Sequence, residues 1–128
     1  MQDGKQVILC IDDDPDICTF LKTVLDANGY VASTACSGEE GLKIYKEISP
    51  DLVIVDLMME EIDSGTAVVK ELRLLGNTAP VYMLSSVGDE FNMETDYAST
   101  GLSGVFQKPV TADRLLSVVE TALKKADG

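Results

Sequence analysis

Five polar residues stand directly behind four short runs of β-type character. Asp12 and Asp13 follow Val-Ile-Leu-Cys-Ile, and Asp56 follows Leu-Val-Ile-Val. Ser85 follows Val-Tyr-Met-Leu, and Lys108 with Pro109 follows Val-Phe-Gln. If the runs are strands of one parallel sheet, all five side chains belong to a single rim, where ligands of such sheets bind. Crowded carboxylates repel one another unless a cation neutralises them. The chain has no histidine and no clustered cysteines, so any metal must be a hard cation held by oxygen. Mg²⁺ is the natural choice, with Mn²⁺ close behind, because it keeps waters that a phosphate oxygen can replace. The Lys108 ammonium would pair with a second phosphate oxygen, and the Ser85 hydroxyl would bond a third. The set is suited to stabilising a phosphoryl group in transfer, with Asp56 as the nucleophile that becomes an aspartyl phosphate.

The elements that must position these groups alternate along the chain. Val7–Ile11 is apolar throughout, as a strand covered on both faces requires. Asp14 and Pro15 start a helix with an acidic cap and proline at the first helical position. Ile17, Phe20, Leu21, Val24 and Leu25 follow at helical spacing, and Asn28-Gly29 ends it. A short strand is expected at Tyr30–Thr34. Ser37-Gly38-Glu39-Glu40 is a capping box for a second helix, which ends before Pro50. Leu52–Val55 is the third strand, Thr66–Leu75 the third helix, and Val81–Leu84 the fourth strand. Asp89–Thr100 mixes helical and alternating patterns; it is read as a helix because a parallel sheet needs a crossover there. Val105–Gln107 is the fifth strand, and Thr111 caps a final helix carrying Leu115, Leu116, Val118, Val119 and Leu123. The expectation is an α/β domain with an open parallel sheet, helices on both faces, and residues 1–128 as one unit without linkers or repeats.

Composition narrows the function. The 22 acidic residues outnumber 10 basic ones, giving a formal charge of −12 in 128 residues. Such a surface repels the phosphates of nucleic acid and anionic membranes, so neither is expected as a direct partner. No apolar run approaches the about 20 residues of a bilayer crossing, and Met-Gln-Asp-Gly-Lys-Gln is not a signal peptide. Cys10 lies within the first strand and Cys18 in the first helical pattern, so both read as small core residues. Together with Cys36 they make an odd number with no C-x-x-C spacing, which points to the reducing cytoplasm.

Taken in order, Ile-Leu-Cys-Ile-Asp-Asp-Asp-Pro, Leu-Val-Ile-Val-Asp-Leu-Met-Met, Met-Leu-Ser-Ser and Phe-Gln-Lys-Pro resemble the receiver domain of two-component response regulators. The resemblance runs from about Val7 to Leu123. It implies a flavodoxin-like (βα)5 fold with strand order 2-1-3-4-5. It also implies that Asp56 is the phosphoacceptor, served by a sensor histidine kinase or histidine phosphotransfer protein. Asp13 would bind Mg²⁺ directly and Asp12 through water, joined by an Asp56 oxygen and the backbone carbonyl of Met58. Ser85 resembles the switch hydroxyl, Lys108 the family's lysine, and Pro109 its usual cis peptide. The implied role is a phosphorylatable signalling domain rather than an enzyme, with no effector domain attached. It would reach a downstream protein through the face made by the fourth helix, the fifth strand and the last helix.

Four departures from the family pattern stand out. Glu60 replaces a usual proline, Ser64 replaces a usual glycine with Gly65 one place later, and one residue is added between Ser85 and Lys108. Val105 takes the place of a usual aromatic, with Phe106 following. Val105 and Glu60 keep one rival alive, a receiver-like interaction module with impaired switching. An aspartyl-phosphate phosphohydrolase of the haloacid dehalogenase type needs an acid two residues after its nucleophile, where Met58 stands. Met58 and Val87 also cannot orient an attacking water, so self-dephosphorylation is expected to be slow.

Overall fold

In a computed structural model the alternating pattern becomes five strands and, among the described residues, four helices. The structure describes residues 4–56, 64–85, 104–107 and 110–127. The strands are β1 (Val7–Ile11), β2 (Val31–Ala35), β3 (Leu52–Asp56), β4 (Val81–Ser85) and β5 (Gly104–Gln107). The helices are α1 (Pro15–Ala27), α2 (Gly38–Ile48), α3 (Ser64–Leu74) and α4 (Ala112–Asp127). All strands are parallel, in the order β2-β1-β3-β4-β5 expected of the flavodoxin-like fold. The helix expected over Asp89–Thr100 lies outside the described residues.

The inward apolar runs explain why the central strands are central. Every residue of β1 and the four apolar residues of β3 are fully buried, since helices cover both faces. Alternation sorts them. Ile8, Cys10, Leu52, Ile54, Leu84 and Phe106 pack with α1 and α4, whereas Leu9, Ile11, Val53, Val55, Val81 and Met83 pack with α2 and α3. Phe106 sits in the first of these layers, its ring centroid 5.6 Å from that of Tyr82. Two glycines permit close approaches: a Cβ at Gly41 would strike Ile11, and one at Gly104 would strike the Tyr82 ring.

Local capping follows the sequence closely. The Asp14 carboxylate accepts the Asp16 N–H at 2.9 Å, Ser37 Oγ accepts the Glu40 N–H at 3.1 Å, and Thr111 Oγ1 accepts the Arg114 N–H at 3.2 Å. β2 starts one residue later than expected. The Tyr30 N–H donates to the Leu25 carbonyl to close α1, which leaves Val31 as the first residue free to pair with β1. β2 is an edge strand, and α1 covers part of that edge. Lys22 Nζ donates to the Ala32 carbonyl at 3.1 Å, and Asp26 accepts the Ala32 N–H at 3.0 Å. Their own ion pair spans 2.9 Å, and together they occupy hydrogen-bonding groups that an edge otherwise offers to other chains. No helix among the described residues is long and apolar enough to cross a membrane.

Candidate phosphoacceptor site

The chain leaves β1 to form β2 on one side and returns to form β3 on the other. The crevice of the sheet therefore opens beyond the carboxyl ends of β1 and β3. Ile11 is registered against Val55. The next residue on each strand is an aspartate, and parallel register sets Asp12 beside Asp56. Asp12 is fully buried and Asp56 nearly so, while Asp13 is half-buried at the mouth. One carboxylate oxygen from each of Asp12, Asp13 and Asp56 lies within 4.8 Å of the others.

The backbone holds Asp12 firmly. Its N–H donates to the Ala35 carbonyl at 3.0 Å, extending the β1–β2 ladder past the end of β1. Its Oδ1 accepts the Asp14 N–H at 2.9 Å. Its carbonyl oxygen accepts the Cys18 thiol at 3.2 Å. The N-terminus of α1, starting at Pro15 behind these acids, adds a favourable positive dipole end. Cys18 reaches Asp12 from the first turn of α1. Burial pushes its thiol up to about 11, helped by the nearby Asp12 and Cys36, so it stays protonated and can donate. The helical pattern around Cys18 assigns it a packing role only. Its spacing six residues after Asp12 was the available signal, since that spacing returns a helical first turn to the end of the strand.

Of the residues expected at the site, the structure brings together Asp12, Asp13 and Asp56. Asp14 caps α1, as the sequence indicated. Ser85 closes β4, one register position beyond the Leu84 that pairs with Asp56. Lys108 directly follows β5 in sequence. Lys108, Pro109, Met58, Glu60 and Val87 lie outside the described residues. The described donor set consists of three carboxylates, all oxygen. Oxygen-only donors at a half-open rim fit a hard divalent cation such as Mg²⁺ and do not suit a softer metal.

A doubly wound sheet with this acidic crevice is the architecture of a small α/β signalling domain. Comparison with known proteins gives the family. The response regulator receiver domain matches residues 8–120, and the chain belongs to that family, the receiver domains of two-component response regulators. It is 35% identical over 117 residues to the chemotaxis protein CheY of Bacillus subtilis, covering 91% of this chain and 96% of that protein. It is 34% identical over 127 residues to the probable transcriptional regulator ycf27 of Porphyra purpurea, where it covers 99% of this chain but 51% of that protein. The chain thus spans about half the length of such relatives. A response regulator receiver domain protein from Clostridium thermocellum has a TM-score of 0.82 at 30% identity, covering 95% of this chain and 97% of that one.

Proposed function

We propose that the chain is a phosphoacceptor signalling unit in which Asp56 takes a phosphoryl group from a phosphohistidine. The donor would be a sensor histidine kinase or a histidine phosphotransfer protein, meeting the chain in the cytoplasm. The observation that carries this reading is the meeting of three carboxylate oxygens within 4.8 Å at the ends of two adjacent central strands. Asp12, Asp13, an Asp56 oxygen and the Met58 carbonyl would hold Mg²⁺. When bound, the cation offsets the charge of the acids and of the incoming phosphoryl oxygens.

The chain's own groups then do the following. An Asp56 carboxylate oxygen attacks phosphorus, and the bond from phosphorus to the donor's imidazole nitrogen breaks as the new bond forms. Asp12, pinned by its backbone bonds to Ala35 and Cys18, keeps its carboxylate in place throughout. Lys108 and Ser85 would bond the remaining phosphoryl oxygens, and phosphorylation would alter the face that β5 and α4 would offer a downstream protein.

Incubation with acetyl phosphate and Mg²⁺, followed by intact mass spectrometry, tests this directly. The expected product is a single phosphoryl adduct that hydroxylamine removes and chelation of Mg²⁺ prevents. An adduct that persists in Asp56→Asn would overturn the assignment.

A second reading, an interaction module with altered switching, draws on Phe106. The aromatic beside Val105 is buried among α1 and α4 residues at 1% exposure, so it is not a surface ring free to rotate. NMR spectra with and without beryllofluoride separate the two: shifts across α4 favour switching, and shifts confined to the acidic rim favour the inert module.

A further inference from the structure

Two of the three cysteines lie near one another beside the acidic rim. Cys36 is exposed and follows the last residue of β2, whereas Cys18 is buried in the first turn of α1. Besides its bond to Asp12, the Cys18 thiol lies 3.8 Å from the carbonyl oxygen of Ala35, the residue bonded to Cys36. Standard peptide dimensions then put Cys18 Sγ within roughly 7 Å of the Cys36 Cα. Side-chain alternation along β2 agrees. Ala32 faces the α1 layer and Ala35 the α2 layer, so the next position, Cys36, returns to the α1 side where Cys18 sits.

We propose that Cys18 and Cys36 form a peroxide-sensitive dithiol that closes into an intramolecular disulfide between α1 and the end of β2. The accessible Cys36 reacts first. Its sulfur attacks one oxygen of hydrogen peroxide, the O–O bond breaks, and the thiol proton departs with the other oxygen as water, leaving a sulfenic acid. The Cys18 sulfur then displaces the sulfenic hydroxyl, which leaves as a second water carrying the Cys18 proton. Two thiols are oxidised and one peroxide is reduced to two waters. Buried Cys18 acts as the resolving thiol, and Cys10, fully enclosed in β1, takes no part.

The bridge would also reach the rim. A Cys18 sulfur bonded to Cys36 has no proton to donate to the Asp12 carbonyl, so the residue loses one of the contacts that fix it. This consequence rests on the Mg²⁺ reading above. Loss of a supporting hydrogen bond behind a ligand weakens metal affinity by about tenfold.

The test uses the whole chain in a Cys10→Ala background, treated with hydrogen peroxide and then mapped by non-reducing peptide mass spectrometry. The expected product is a monomer lighter by two hydrogens, with the Cys18 and Cys36 peptides joined, restored by dithiothreitol and absent in Cys36→Ser. A Cys36–Cys36 dimer, a Cys36 sulfinic acid without a bridge, or an unmodified chain would overturn the proposal. Calorimetric titration with Mg²⁺ should show about tenfold weaker binding in the bridged form than in the reduced form. Equal binding in both would overturn the coupling to the rim. A reduced chain that binds no Mg²⁺ would sink the metal reading while leaving the bridge intact, so the two failures are distinguishable.

Discussion

At the amino end of the sheet, Asp51 accepts the Val7 N–H at 2.8 Å. Along the free edge, Asp26 accepts the Ala32 N–H and meets Lys22. At the carboxyl end, by contrast, Asp12, Asp13 and Asp56 converge on one another. The same side chain is used in two ways. Asp51 and Asp26 answer backbone donors and a cation, so they hold the sheet together. The carboxylates of the crevice, where Asp12 also accepts the Asp14 N–H, lie close together in a like-charge arrangement that favours added positive charge. Acids of the first kind should stabilise the fold with or without metal, and acids of the second kind should stabilise it further when a cation arrives.

The largest expected effect that sharpens this contrast is that of the cation. Mg²⁺ at a hundred times its dissociation constant should raise unfolding free energy by about 2.7 kcal/mol, measured by urea titration, and chelation should remove the gain. A response of the same size in Asp13→Asn would break the assignment of the crevice. Next comes Asp51→Ala, which leaves the Val7 N–H without its carboxylate and should cost about 1–2 kcal/mol, with or without Mg²⁺. Asp13→Asn should cost the metal-free chain less than Asp51→Ala does, because loss of one charge relieves repulsion in the cluster. If it destabilises the metal-free chain as Asp51→Ala does, the distinction fails.

The smallest effect concerns Asp26. Burial works to raise its carboxyl, but the Lys22 ammonium and the Ala32 N–H together outweigh this and hold it below its ordinary value. A carboxyl depressed in the folded state contributes stability above its unfolded value of 3.8 and loses it as pH falls through the lower folded value. The pair is exposed, so Asp26→Asn should cost under about 0.5 kcal/mol at neutral pH and flatten the acid limb of the stability curve. An unchanged acid limb would show that the Lys22–Asp26 pair does not guard the edge as described.

Much of this was legible in the sequence because the signals are local. Val7–Ile11 and Leu52–Val55 are apolar in unbroken runs, Asp14-Pro15 and Ser37 announce helix starts, and an aspartate directly after a strand can only stand at its rim. The strand order came from the family resemblance, and the carboxylate cluster follows from it once β1 and β3 are neighbours. What stayed hidden depends on which residues meet across the fold. Tyr30 reads as a strand residue but spends its N–H closing α1. Gly41 reads as an ordinary helix residue, yet its missing side chain lets α2 approach Ile11. The nearness of Cys18 to Cys36 arises from α1 lying on β2, which no spacing along the chain encodes.

The central claim is that Asp56 is the phosphoacceptor, and chemical trapping reads it at residue level. Reduction of the phosphorylated chain with borohydride converts an acyl phosphate to the corresponding alcohol, which peptide sequencing then locates. Homoserine is expected at position 56, formed only when Mg²⁺ was present during phosphorylation. Homoserine at position 12 or 13, or its formation without a divalent cation, would contradict the claim.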